Sequence, residues 1–332
     1  MMQELIISGS PHAHTTDTVN RRMWNVVIAL LPSLGVALWV FGLSALWVTL
    51  VAVGACMATE WLIERYLFHR PCTLSNGSAL ITGLLLAFNL PNILPWWMVV
   101  IGAVVAIGIG KMSFGGLGCN IWNPALVGRV FLLLSFPAAM TTWDSAVNSG
   151  FIQAAHTGAS GVDASTGATL LATLKSHGHV VDSSSVDWLT LGLGDMNGSL
   201  GEVGSIAILL GLAWMLITRV ITWHIPVSVL GSAALLSWAT GANSGIELLA
   251  GGLMLGAVFM ATDYVTSPMT HWGQIIYGVL IGVLTIIIRR WGAYPEGVSF
   301  AILLGNSVTP LINKYCRPRR FGMRKIRKEA KA

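Results

Sequence analysis

Apolar runs about as long as a bilayer is thick recur along nearly the whole of this sequence, and that limits its fold more than any other feature. In lipid every backbone N–H and C=O must find a partner inside the protein, so isolated spanning runs are helical. A spanning helix needs about 20 mostly apolar residues, fewer where it is broken or buried in protein. Ten segments meet that description, over residues 23–41, 43–64, 77–90, 95–111, 121–137, 204–220, 222–240, 246–264, 272–290 and 296–313. The third is short and ends in Asn89-Leu90-Pro91-Asn92, with Pro95 close behind, so a broken or partial span is expected there. Charged residues make up only 10% of the chain, against about 25% in soluble domains. The expected fold class is an all-α polytopic membrane protein.

The spans divide the chain. Residues 1–22 form a polar N-terminal segment, 23–137 a first five-helix half, 138–203 a long polar loop, 204–313 a second five-helix half and 314–332 a basic tail. Residues 1–20 lack the apolar core and cleavage site of a signal peptide, so the first apolar segment is expected to stay in the protein. Basic residues mark the cytoplasmic face of a membrane protein. Arg21, Arg22, Arg65, Arg70, Lys111, Arg219 and the tail all fall on one side if the spans alternate. Both termini are therefore expected in the cytoplasm and the loop outside. Arg289 and Arg290 alone break the pattern. The tail, with nine Lys and Arg from Lys314 onward, suits an anionic lipid surface better than nucleic acid. Tryptophans such as Trp39, Trp96, Trp223 and Trp291 fit interfacial belts.

The two halves rhyme. Ser75 to Lys111 resembles Asn243 to Arg290, and Asn120-Ile121-Trp122-Asn123-Pro124 resembles Gly305-Asn306-Ser307-Val308-Thr309-Pro310. With an odd number of spans per copy the repeats must be inverted, an arrangement that places binding sites near broken helices. The four cysteines stand at no metal-ligand spacing, and no metal site or disulfide framework is expected.

Within the loop, Asp163-Ala164-Ser165-Thr166-Gly167-Ala168-Thr169 places a threonine hydroxyl behind small residues, open to an enzyme that closes over it. On pattern alone a Ser/Gly-rich linker reads the same way. The segment nevertheless resembles, at every specified position, the flavinylation motif Asp-x-x-Ser/Thr-Gly-Ala-Thr of the RnfD/NqrB family. The resemblance extends over essentially the whole chain. It takes in Ser10-Pro11-His12-x-His14, the ten spans and the Gly-rich Phe114-Gly115-Gly116-Leu117-Gly118-Cys119-Asn120 entry to the fifth span. The short N-terminal segment and compact loop are closer to the RnfD branch than to NqrB.

That resemblance implies FMN joined through its phosphate to Thr169 by a dedicated flavin transferase, which recognises Asp163, Thr166, Gly167 and Ala168. It also implies a second, non-covalent riboflavin in the membrane part, with Asn120, Asn123, Asp263 and Thr266 as the candidate residues. The chain would be an electron-carrying subunit of an Rnf-type ion-translocating ferredoxin:NAD oxidoreductase complex, with no catalytic residue of its own. Its partners would be an extracytoplasmic flavoprotein subunit, a cytoplasmic NADH-handling subunit and further membrane subunits, with His12 and His14 facing the cytoplasmic partner.

The residues carry readings of their own. Glycines allow close backbone approach to a planar ligand, but they also allow close helix packing. Asp263 at the end of an apolar run needs water, a partner or a function, or else caps a helix. Glu60 and Glu64, one turn apart beside Arg65, suit an interfacial charge cluster better than an ion path. A small-solute channel or transporter is the rival from another class, because a two-times-five inverted fold serves that purpose too. The charge count predicts that a topology reporter fused near Gly158 registers outside; a cytoplasmic signal there overturns the ten-span arrangement.

Overall fold

A computed structural model describes residues 17–143, 198–202, 204–292 and 296–317, together with the single positions 171, 175 and 294. Among these the regular structure is helical throughout. Helix α1 (Val19–Phe41) starts at Thr18, whose hydroxyl accepts from Arg21 N at 3.3 Å, and stops at Gly42. Helix α2 (Leu43–Leu62) runs on through a wider turn over Ile63–Leu67. Helix α3 (Ser78–Phe88) ends at the break expected from Asn89 and the two prolines. Helix α4 (Trp96–Val104) likewise continues through a wider turn at Val105–Ile109. Helix α5 (Pro124–Ser135) has Pro124 in its first turn, where no N–H is needed, and Asn123 as cap, accepting from Ala125 N at 3.1 Å. Phe136, kept out of helical backbone by the following proline, separates it from α6 (Pro137–Thr141).

The second half has α7 (Ser205–Ile217), α8 (His224–Ala239), α9 (Ser244–Leu249), α10 (Leu253–Leu255), α11 (His271–Trp291) and α12 (Val298–Tyr315). A wider turn over Gly256–Met260 extends α10. The single span expected over 246–264 is instead interrupted at Ala250–Gly252, where Gly251 and Gly252 have φ of 76° and 64°. Among the described residues four helices are long and apolar enough to cross a membrane unaided: Val19–Phe41, Leu43–Leu67, Trp96–Phe114 and His271–Trp291. Shorter ones such as the 13-residue α7 cover only about 20 Å of a core about 30 Å thick.

The packing repeats between the halves. Helix α2 packs on α3 and α4 as α8 packs on α9 and α11, and α4 packs on α5 as α11 packs on α12. Across the centre α1 meets α7 and α5 meets α12, so equivalent elements pair with each other. On α11, Gly278 and Gly282 lie so close to Ser228, Ser232 and the Val229 carbonyl that a Cβ has no room. Small residues one turn apart let helices approach in this way.

Apolar side chains cover much of the outside, among them Trp39, Trp47, Leu50, Ile217, Leu235 and Trp238, while several charged ones are enclosed. Glu60, Glu64, Lys111, Arg129, Glu202, Glu247 and Arg289 are all buried. That inversion of the soluble pattern is what a lipid surround requires. Arg289, whose position breaks the charge pattern, is only 1% exposed. Its guanidinium donates to the carbonyl of Glu247, and to those of Ala250 at 3.0 Å and Gly251 at 3.2 Å. It therefore bonds the carbonyls that the break in the second half leaves free. The break after α3 is met by the end of the long loop: Gly201 N donates to Phe88 O at 2.7 Å and Leu200 N to Leu90 O at 3.3 Å.

Candidate functional site

Between the N-terminal end of α1, the starts of α3 and α5 and the segment after α10 lies a cavity of about 90 Å³. Its walls are mostly apolar, with Val26, Ile81, Leu85, Leu117, Val220 and Phe259 among them. Asn120, Asn123, Asp263 and Lys111 supply polar groups.

Each group is placed by local chemistry. The segment from Lys111 to Asn123 turns back sharply, with Gly115, Gly116 and Gly118 at φ of 114°, 100° and 90°. Only glycine adopts such angles readily, so the Gly-rich motif is needed to bring Asn120 to the wall. Asn120 donates through Nδ2 to Trp122 O at 3.0 Å, and its side chain lies beside the Asp263 carboxylate. That carboxylate accepts from the Thr266 hydroxyl at 3.3 Å and lies near the backbone N–H groups of Tyr264 and Val265. Thr266 stands behind Asp263, buried, with its carbonyl bonded by Thr309 Oγ1 at 2.8 Å. Asn123 caps α5 and donates through Nδ2 to Met260 O at 3.2 Å. Its counterpart in the repeat lies alongside: with its amide turned to satisfy both ends, Asn306 accepts from Asn123 N at 3.1 Å and bonds the Tyr277 hydroxyl at 2.6 Å. Asn120, Asn123, Asp263 and Thr266 are thus brought together from segments more than 100 residues apart. The loop residues Asp163, Thr166, Gly167, Ala168 and Thr169 lie outside the described residues.

Two wall groups stand elsewhere than their sequence context suggests. Lys111, expected as a cytoplasmic base, is 2% exposed, and its ammonium donates to Glu60 Oε2 at 2.6 Å and to Ser78 Oγ at 2.7 Å. Glu60 and Glu64 form no interfacial cluster: Glu60 holds this buried ion pair, and Glu64 accepts from Thr73 N at 2.9 Å. The reason is the packing of α2 on α4 and on the wider turn that continues it, which brings Lys111 to Glu60. At the mouth, Arg22 bonds Asp17 and reaches the Tyr264 hydroxyl at 3.3 Å. The Arg22 guanidinium holds the Asp17 carboxyl below its ordinary range.

The cavity and the loop ends occupy opposite ends of α1. Met23 lines the cavity, whereas Val36 packs on Gly204 at the return of the loop. Thirteen helical residues separate the two, about 20 Å.

Comparison with known proteins fits this geometry. The model of the NQR2, RnfD, RnfE family matches residues 6–322. The chain belongs to that family. Family relatives include the D subunit of the Na(+)-translocating ferredoxin:NAD(+) oxidoreductase complex of Acetobacterium woodii, 44% identical over 99% of this chain and 98% of the relative. The D subunit of the proton-translocating ferredoxin:NAD(+) oxidoreductase complex of Clostridium ljungdahlii is 43% identical over 96% of each. The family member from Escherichia coli, the D subunit of an ion-translocating oxidoreductase complex, is 40% identical over 96% of this chain and 99% of its own.

The ion pair in the wall gives a prediction. Lys111→Met leaves the Glu60 carboxylate buried without its partner, at a cost of about 3–5 kcal/mol. Thermal unfolding in detergent should show a clear drop in Tm, recovered largely when Glu60→Gln is added. A single variant as stable as the parent rules out the pair as drawn.

Proposed function

We propose that this chain is the D subunit of an Rnf-type ion-translocating ferredoxin:NAD oxidoreductase complex. It carries electrons across the membrane through FMN on Thr169 and a second, non-covalent flavin in the cavity. One observation carries the reading. A polar-edged cavity and the returning ends of the motif-bearing loop stand about 20 Å apart, at opposite ends of one helix. The names of the relatives, each the D subunit of such a complex, support it, as does the match of residues 163–169 to a flavinylation motif.

The cavity residues fit a riboflavin. Apolar walls from Ile81, Leu85 and Phe259 suit the faces of a planar ring, while Asn120 and Asp263 offer a donor and an acceptor for its polar edge. Asn123, with its amide already bonded at both ends, shapes the wall and joins the two halves. Thr266 holds the Asp263 carboxylate in place. A flavin bound there supplies the electron-carrying chemistry, and the protein supplies position and electrostatics. The paired charges of Lys111 and Glu60 keep the wall close to neutral beside it.

In this reading the loop faces outward to an extracytoplasmic flavoprotein subunit, and the cavity opens toward a cytoplasmic NADH-handling subunit. Further membrane subunits complete the complex, and a flavin transferase matures Thr169. The chain is an electron carrier rather than an enzyme by itself.

Thr169→Val keeps the shape and β-branching but removes the acceptor oxygen. Covalent flavin should vanish from the denatured chain and electron transfer through the complex should stop, while Thr166 carries no adduct in the parent. In the same preparations, Asp263→Ala should lower the riboflavin released on denaturation. Peptide mass spectrometry and flavin extraction decide: an FMN adduct on Thr166, or one that survives Thr169→Val, overturns the proposal.

A further inference from the structure

The segment Gly198 to Glu202, just before α7, touches both breaks at once. Leu200 N and Gly201 N bond the carbonyls left free after α3, and the side chain of Glu202 turns to the break in the second half. The fit is close. A Cβ on Gly201 would strike Phe88 and Leu255, and one on Gly252 would stand 3.3 Å from Glu202 Oε1.

Glu202 is only 3% exposed. Its Oε2 accepts from Ser199 N at 3.0 Å, while Oε1 has no hydrogen bond among the described residues. The charged groups around it are engaged with other partners. Arg129 on α5 bonds Asn89 and pairs with Glu296, the residue two before α12. Arg289 on α11 bonds the carbonyls around Ala250. Glu247 on α9 stands beside Arg290, with Oε1 3.9 Å from Nη2.

An ionised carboxylate in this place has one neutral donor for its two oxygens and no water, which is costly. The neutral acid avoids most of that cost. Burial, with the Glu296 charge added to it, pushes the Glu202 carboxyl up to about 8, although Arg129, the Ser199 N–H and Arg289 pull the other way.

We infer that Glu202 is a proton-binding site, and that its bound proton keeps the Gly198–Glu202 segment wedged between the two breaks. The step changes no bond to carbon: the carboxylate takes a proton from solvent and becomes a carboxylic acid. Loss of the proton leaves a bare carboxylate near Glu296 and loosens the wedge on both sides. Buried acids of this kind mark functional sites in other proteins. The inference does not depend on either flavin.

The sign of the pH effect follows from linkage. In the unfolded chain this carboxyl ionises near its ordinary 4.5, so the folded state alone keeps the proton between there and about 8. The folding equilibrium should therefore weaken as pH rises through that window, by up to about tenfold per pH unit. Glu202→Gln keeps the neutral shape and should remove this dependence, so its Tm in detergent should gain on the parent's from about pH 5 to about pH 8.

Infrared difference spectra of the full chain, taken from about pH 6 to about pH 10, read the proton directly. In the parent, the C=O band of one protonated carboxyl should disappear with a midpoint near pH 8, and Glu202→Gln should lack it. Glu296→Gln should move the midpoint to lower pH, because it removes a negative neighbour and frees Arg129. That shift decides the matter if Glu202→Gln fails to fold. A band missing from the parent at the low end of the range overturns the inference, as does one that persists in Glu202→Gln. A midpoint unmoved in Glu296→Gln, or a Tm difference independent of pH, overturns it too.

Discussion

Backbone carbonyls with no helical partner, in a surround without water, are the constraint that organises this protein. Each half contains a segment that stops inside the membrane part, after Phe88 in the first and at Ala250 in the second. An unbonded carbonyl there costs several kcal/mol, so each break must be met by a donor from elsewhere in the chain. The halves meet it differently. Arg289 reaches across from α11 to bond three carbonyls around Ala250, while the backbone of Leu200 and Gly201 bonds Phe88 and Leu90. Buried charge follows from the same demand. Arg129 donates to Asn89 Oδ1 at 2.7 Å and pairs with Glu296, tying the first break to the second half.

The repeat turns these local solutions into two unlike ends. Lys111 near the end of α4 reaches the start of α3, and Arg289 near the end of α11 reaches α9, which holds the equivalent place in its own half. In the first half the reach lies beside an open cavity, and in the second it lies under the loop. A fold with near-equivalent halves thus leaves a polar-edged cavity at one end and a break packed by Leu171 at the other.

Much of this was legible from the residues. Segment boundaries follow hydropathy, the break after Phe88 follows two prolines, and the turn before Asn120 needs the glycines that are there. Asn120 and Asp263, named from the sequence as candidates for one ligand, line the same cavity. What was not legible depends on how distant elements are rotated. Glu60 and Lys111 are 51 residues apart, and only the packing of α2 on α4 points one at the other. The interruption at Ala250 hides within a run apolar enough to read as one span, and the Arg289–Arg290 pair could be seen only as an exception. Nothing in the polar residues before α7 marks Leu200 and Gly201 as partners for a helix end. The threonine motif was legible through resemblance alone, because its residues lie outside those described.

The bond from Gly201 to Phe88 also orders events during synthesis. Those two residues are 113 positions apart, so α3 emerges with its last carbonyls unmet. At roughly 5–20 residues per second, the donor follows about 6 to 23 seconds later. Through that interval the first half must borrow hydrogen bonds from water, from the insertion machinery or from neighbouring chains. Chain growth thereby acts as a clock on maturation, and the membrane part reaches its final shape only after the polar loop has been made.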